Sequence, residues 1–464
     1  MKYDWLAPVV RSVIAPPWAI WEQSPYLRHY KVLRKKQFDT PDVIRKRQFE
    51  QLSDLVHHAY ETVPFWKQRF DEQGIKPEEI QSLEDLERLP LLTKQDLRSS
   101  LESMMSDKYQ NQVLRIKTTS GSTGVSLEVR VDEEAMQFKR ACTLRSDEWS
   151  GWRFGQRKAM VWGNPEYLNR GWRGHLRNSL LERCVYLDTL KMNENSLESF
   201  LNKLEQTHPA LLFGHAHSLY LFAQFVESRG GTEYQPRGII STAMVLHRWE
   251  REKIEQVFDC PVTNRYGCEE VSMIACECEQ HAGLHVIADN VYVEVLREDG
   301  TPASPGEAGM IVVTDLVNRA MPLLRYQVGD MAVVSDKTCA CGRGLPLLDR
   351  IEGRIADYVV TPQGELVSGI SLTENFAMLV TGIKQIQIVQ ETLNSFIFRI
   401  VKEEEFNQHS ESQIRNLVEE RFGSAVDFVC EYVENIPQES SGKFRFCISH
   451  VENPFSRRRE SLVQ

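Results

Sequence analysis

Leu211-Leu212-Phe213-Gly214-His215-Ala216-His217-Ser218 is a short apolar run that breaks into a glycine and two histidines, and its surroundings decide the fold. Upstream, Leu197, Phe200, Leu201 and Leu204 recur at i, i+3, i+4 and i+7, the spacing of one helix face. Downstream come a helical stretch over 218–228, the apolar run Gly238-Ile239-Ile240-Ser241, a second helical stretch over 249–258, and Val262-Thr263. Strand and helix therefore alternate, which predicts an α/β architecture with a mainly parallel sheet and helices on both faces. In such sheets ligands bind beyond the carboxyl ends of the strands. The polar loops 215–218, 241–243 and 266–270 are accordingly where chemistry is expected.

From about Ile351 the pattern changes. Residues 383–391 and 396–401 read as strands and 414–422 as an amphipathic helix, while Val426, Phe428, Cys430 and Tyr432 alternate as a half-buried strand. This predicts a small α+β unit, with a large domain over 1–353 and a small one over 354–464. Leu52, Leu55, Val56 and Ala59 mark another helix nearer the start.

A chain of 464 residues exceeds what one core supports, and 42% hydrophobic with 26% charged residues is an ordinary globular balance. A net charge of −10 argues against a broad nucleic-acid surface, and Arg457-Arg458-Arg459 reads as a solvated terminus. No run reaches the length of a membrane span and no cleavable leader is apparent, so a cytoplasmic location is expected. The segment from Trp5 to Trp21 is apolar enough to consider contact with a membrane surface, but Pro16-Pro17 should break a long amphipathic helix, and burial against the domain is expected. Ten cysteines over this length do not make a disulfide framework.

Lys117-Thr118-Thr119-Ser120-Gly121-Ser122-Thr123-Gly124 can wrap phosphate oxygens, because glycines let amide N–H groups converge and hydroxyls add donors. It lacks the Gly-Lys-Ser/Thr of a Walker loop, and alone such a string is more often a hairpin turn. Four further motifs come after it in order: Tyr266-Gly267-Cys268-Glu269-Glu270, Arg325-Tyr326-Gln327-Val328-Gly329-Asp330, Gly353-Arg354-Ile355-Ala356-Asp357, and Ser440-Ser441-Gly442-Lys443 after Pro437. With these the sequence resembles the adenylate-forming superfamily of acyl-CoA synthetases, peptide-synthetase adenylation domains and luciferases. His58-Ala59-Tyr60, Val63-Pro64-Phe65, Leu89-Pro90-Leu91-Leu92-Thr93-Lys94, Gly283-Leu284-His285 and Cys339-Ala340-Cys341-Gly342-Arg343 sharpen the resemblance. They point to the phenylacetate-CoA ligase-like branch and its CapK-type proteins of capsular polysaccharide biosynthesis.

The resemblance implies a large adenylation domain with a small mobile lid. ATP and a carboxylate would form an acyl-adenylate, whose acyl group passes to CoA or, alternatively, to an amine. Thr119, Ser120, Gly121, Ser122, Thr123 and Gly124 would hold the β- and γ-phosphates, and Tyr266 with Gly267 would lie against adenine. Asp330 would accept from the ribose hydroxyls, Arg354 would add a ribose or phosphate contact, and Glu270 would hold Mg²⁺. Lys443 would be the catalytic cation of the first half-reaction, set between carboxylate and α-phosphate. Three departures stand out. Val125-Ser126-Leu127 supplies no lysine after the loop, Ala356 occupies the usually charged hinge position, and Ser241-Thr242-Ala243-Met244 lacks the adenine-side glutamate.

Thiols and imidazoles clustered near Cys339-Ala340-Cys341 suggest structural Zn²⁺. The resemblance places it on Cys278, His285, Cys339 and Cys341, with Cys276 and His281 as a competing pair. Residues around Trp162-Gly163-Asn164 and Gly214-His215-Ala216-His217 would line the carboxylate pocket. A non-catalytic nucleotide-binding relative is the remaining alternative, which the retained Glu270, Asp330 and Lys443 oppose.

Overall fold

The alternation read over 197–263 becomes three neighbouring parallel strands of an 11-stranded sheet in the computed structural model, and two further parallel strands over 158–188 extend it. The structure describes residues 4–119, 127–162, 171–189, 193–354, 358–362, 366–368, 372, 376, 379–423, 426–437, 445 and 447–451. Strands β1 (Arg115–Thr119) and β2 (Leu127–Val131) form a separate antiparallel pair. Strands β3 (Lys158–Trp162), β4 (Cys184–Asp188), β5 (Leu211–His215), β6 (Gly238–Thr242) and β7 (Val262–Cys268) lie in the order β4-β3-β5-β6-β7, all parallel. The helices Glu194–Thr207, Ala216–Ser228 and Arg248–Phe258 connect them, burying Leu204, Phe222, Ile254 and Phe258 against the strands.

The sheet continues past β7 with reversed strands, a half that the sequence pattern did not specify. Here β8 (Ser272–Glu277), β9 (Leu284–Val286), β10 (Val291–Leu296), β11 (Ala308–Asp315), β12 (Tyr326–Val334) and β13 (Leu347–Arg354) run antiparallel in the order β7-β8-β9-β13-β12-β11-β10. In a flat sheet β7 and β12, with three strands between them, would lie about 19 Å apart. Side chains of the two nevertheless hydrogen-bond directly, so this half curls back on itself. Tyr266, Tyr326, Val328 and Ile274 share its buried core with Leu52, Val56 and Trp66.

Helix Pro41–Thr62 and the segment after it cap that core. His58 Nε2 bonds to Arg319 O at 2.8 Å, and Trp66 Nε1 donates to Pro322 O at 2.9 Å. Leu92 N donates to Arg325 O and Gln327 N to Leu92 O, each at 2.9 Å, so the 89–94 motif is a splint along the start of β12.

Residues beyond β13 build a separate apolar core of Val359, Phe376, Ile388, Phe398, Ile414 and Cys447. Strands β14 (Tyr358–Val360) and β15 (Leu366–Ser368) pair with each other. Strands β16 (Ile383–Thr392), β17 (Ser395–Lys402), β18 (Asp427–Tyr432) and β19 (Cys447–Ser449) form a four-stranded sheet with the helix Gln408–Phe422. These are the strands and helix that the sequence predicts over 383–432.

The start of the chain departs from expectation. Pro16 and Pro17 do not end the helical run, which extends from Leu6 to Trp21. A wider π turn, Val10–Ile14, precedes them, and they occupy the first turn of Ala15–Trp21, where an absent N–H costs little. Ala7, Val10, Ala15 and Ala19 are buried as expected, but Trp5, Val13, Ile20 and Trp21 are not.

Candidate active site

Strand β7 is where the sheet changes from parallel to antiparallel, and the expected loops converge on its carboxyl end. Its register slips between Tyr266 and Gly267, opposite Ala275 and Met273 of β8. A Cβ on Gly267 would collide with the Ser272 carbonyl oxygen, so only glycine fits this turn of the strand.

Tyr266 Oη donates to Asp330 Oδ2 at 2.8 Å, and Tyr326 Oη donates to Glu270 Oε1 at 2.8 Å. The exchange is reciprocal: the phenol of β7 holds the carboxylate of β12, and the phenol of β12 holds the carboxylate beside β7. Glu270 is 5% exposed and Tyr326 fully buried. Burial, and after it the charge of Asp330, raises the Tyr266 pKa well above its ordinary value. Burial and Glu270 do the same for Tyr326. Both phenols therefore stay protonated and act as donors. In the β12–β13 register Asp330 stands opposite Arg354.

The β1–β2 hairpin approaches the same place. Lys117 Nζ lies 3.3 Å from Ser272 Oγ and 3.5 Å from Glu269 Oε2. Thr119 ends β1 opposite Leu127, so the expected phosphate loop springs from a base beside residues 269–272. Ser120, Gly121, Ser122, Thr123, Gly124 and Lys443 lie outside the described residues. Lys117 precedes the loop, on the opposite side from the position where the resemblance places a cation. Nothing local in the sequence signals that Tyr326 has a partner 56 residues away.

At the neighbouring strand ends the Trp162 and His215 rings lie 3.9 Å apart, centroid to centroid, and Ala243 holds φ +63° in the loop after β6. His217 does not line this opening. It is fully buried, its Nδ1 bonded to Glu250 Oε1 at 2.8 Å, and its Nε2 meets Gln385 Nε2 of β16 at 2.8 Å. That chain, Glu250–His217–Gln385, ties the second sheet to the first.

A second cluster lies at the far end of β13. The ligand atoms of Cys278, His285, Cys339 and Cys341 all lie within 4.8 Å of one another. Cys278 Sγ is 3.5 Å from Cys339 Sγ, and Cys341 Sγ is 3.3 Å from His285 Nε2. The backbone amides of Gln280 and Arg343 each point at a sulfur, Cys278 Sγ and Cys341 Sγ, at 3.5 Å. His285 Nδ1 faces Leu345 O at 3.3 Å, which fixes the ring and presents Nε2 to the cluster. Burial pushes the His285 pKa down to about 4, keeping the imidazole neutral. Burial opposes ionisation of Cys341, yet the Arg343 amide and guanidinium hold its pKa below the ordinary thiol value. Three thiols and one imidazole at these separations fit four-coordinate Zn²⁺. The competing pair goes elsewhere: Cys276 is buried in the core, and His281 Nδ1 bonds to Glu277 Oε2 at 3.1 Å.

Residues 359–450 match the family model of the CapK C-terminal domain. The chain is 27% identical to the phenylacetate-coenzyme A ligase of Thermus thermophilus over 327 residues, 68% of this chain and 72% of that one. It is 22% identical to Protein CapK of Staphylococcus aureus over 444 residues, 93% and 95% of the two chains. These matches agree with the resemblance to the adenylate-forming superfamily. Within that superfamily the chain is similar to the phenylacetate-CoA ligases and to CapK. Its fold matches a 2-hydroxyisobutyryl-CoA ligase solved in the postadenylation state with an acyl-AMP. The TM-score is 0.71 at 20% identity, covering 90% of this chain and 92% of that one. Against the same ligase in its thioesterification state the TM-score is 0.57.

Proposed function

We propose that this chain is an AMP-forming acid–CoA ligase. The carboxylate of the acid attacks the α-phosphorus of ATP and expels pyrophosphate. The CoA thiol then attacks the acyl carbon of the resulting adenylate and expels AMP. The observation that carries this reading is the crossed pair Tyr266–Asp330 and Tyr326–Glu270 at the sheet's switch point, beside the base of the hydroxyl-rich loop.

In this reading Asp330 accepts from the ribose hydroxyls, and Tyr266 and Gly267 flank the adenine. Glu270 holds Mg²⁺, which neutralises phosphate charge. Thr119 to Gly124 donate to the β- and γ-phosphates. Lys117, at the foot of the same loop, supplies the cation missing after it. Arg354 contacts ribose or phosphate, and Lys443 stabilises charge at the α-phosphorus. We divide the chain into an adenylation domain over 1–353 and a lid over 354–464. Cys278, His285, Cys339 and Cys341 hold a structural Zn²⁺, because four protein ligands leave no open position for chemistry.

Carboxylate-dependent exchange of labelled pyrophosphate into ATP, run over a panel of aryl, fatty and sugar-derived acids, tests the first half-reaction. Exchange with some acid that is lost in Lys443→Ala supports the assignment; exchange that survives the substitution removes Lys443 from the chemistry. Thioester formation on adding CoA, set against amide formation on adding amines, decides the acceptor.

A further inference from the structure

The helical run Leu6–Trp21 packs Ala7, Val10, Ala15 and Ala19, with Leu6, Ile14 and Trp18 beside them, against the core and leaves other large residues outward. Trp5 is 71% exposed, Val13 63%, Ile20 78% and Trp21 73%. Its π turn packs on a second one, Asn178–Glu182, which continues the helix Trp172–Arg177. There Trp172, Leu176 and Leu180 recur at i, i+4 and i+8 and are also exposed. Two neighbouring helical runs thus each expose tryptophan and branched aliphatics.

The next helix in the chain gives this surface a sign. Helix Tyr26–Lys36 carries five Lys or Arg and no Asp or Glu, and residues 1–36 hold seven basic against two acidic side chains in a protein of net charge −10. Arg28, Lys31 and Lys35, at i, i+3 and i+7, are exposed, and among the described residues no carboxylate pairs with them. The opposite side of that helix packs on Glu133–Asp147, so the basic stripe faces outward.

We propose that the faces of helices 6–21 and 172–182, with the basic stripe of 26–36, form a docking surface for anionic lipid bilayers. Tryptophan is the residue most at home between water and hydrocarbon, and paired basic and apolar stripes mark helices lying in the plane of the interface. A run of this length is too short to span a bilayer, and no described helix is long and apolar enough to cross one. A second copy of the chain is a poorer occupant. A two-fold contact through this surface brings the basic stripes of both copies into one interface, whereas anionic headgroups answer the charge.

The test is co-sedimentation of the full chain with vesicles of phosphatidylcholine alone or with about 30% phosphatidylserine, a composition that gives a negative surface potential. The expected result is binding to the anionic vesicles only, weakened in about 0.5 M salt, where surface charges are screened. Lys31→Glu/Lys35→Glu and, separately, Ile20→Ser/Trp21→Ser each lower the vesicle affinity about tenfold or more. Both variants retain wild-type melting curves. Equal binding to both vesicle types, no binding by the folded wild type, or undiminished binding by the variants overturns the proposal. Concentration-dependent dimers that Ile20→Ser/Trp21→Ser abolishes, without vesicle binding by the wild type, assign the surface to a second copy instead.

Discussion

Tyr326→Phe removes one oxygen atom and little else. The ring is fully buried, so phenylalanine keeps its packing, but Glu270, 5% exposed, loses the hydroxyl that donates to Oε1 at 2.8 Å. A hydrogen bond to a charged group contributes about 1.5–3 kcal/mol to stability. With an unfolding entropy of about 2.1 cal/mol/K per residue, spread over a core of this size, the melting temperature falls by about 2–4 °C. The same loss lets the carboxylate swing from the position at which it holds Mg²⁺ in the proposed reaction. The MgATP concentration giving half-maximal pyrophosphate exchange should therefore rise about tenfold or more, since each 1.4 kcal/mol is a factor of ten. Thermal melts with and without MgATP, together with exchange rates over a MgATP titration, measure both effects. A variant with unchanged melting temperature and unchanged MgATP dependence would refute the view that Tyr326 positions Glu270.

Gln385→Ala cuts the contact between β16 and His217, worth about 0.5–1.5 kcal/mol. Pyrophosphate exchange should drop about two- to tenfold, while thioester formation from supplied acyl-adenylate holds or rises; separate half-reaction assays check the split. Lys117→Met should raise the KM for MgATP about tenfold with a smaller change in kcat, because a charge-assisted phosphate contact is lost. Steady-state kinetics over MgATP measures it. Cys339→Ser should lower bound zinc from about one per chain to a small fraction and reduce the melting temperature, as elemental analysis and thermal melts will report.

Three of the five parallel strands were legible, because Leu211–His215 and Gly238–Thr242 are short apolar runs each followed by a helix, and Val262–Cys268 follows the last of these; Lys158–Trp162 and Cys184–Asp188 did not stand out. The antiparallel half was not legible, since β11 and β12 are buried along most of their length and show no clean alternation to set their neighbours. Cys278 and Cys276 are equivalent in sequence. They part company in space because β8 ends at Glu277, leaving Cys276 inside the sheet and Cys278 on the turn facing Cys339. Lys117 was hidden by its position before the loop, and the prolines misled at residues 16–17 because a π turn ahead of them gives no sequence signal. His217, read as lining a pocket, illustrates a general limit: strand-end position tells that a residue is near the opening, but not which way it points.

The curl that joins β7 to β12 has a thermodynamic corollary. Each of the two tyrosines grips the carboxylate belonging to the other strand, so neither acid can shift without moving the opposite backbone. A ligand that tightens Glu270 changes the free energy of occupying Asp330, and linkage requires the reverse effect to be equal in size. With Glu270 on the cation and Asp330 on the ribose, as proposed, cation and nucleoside affinity become one coupled quantity, written into two phenolic hydroxyls.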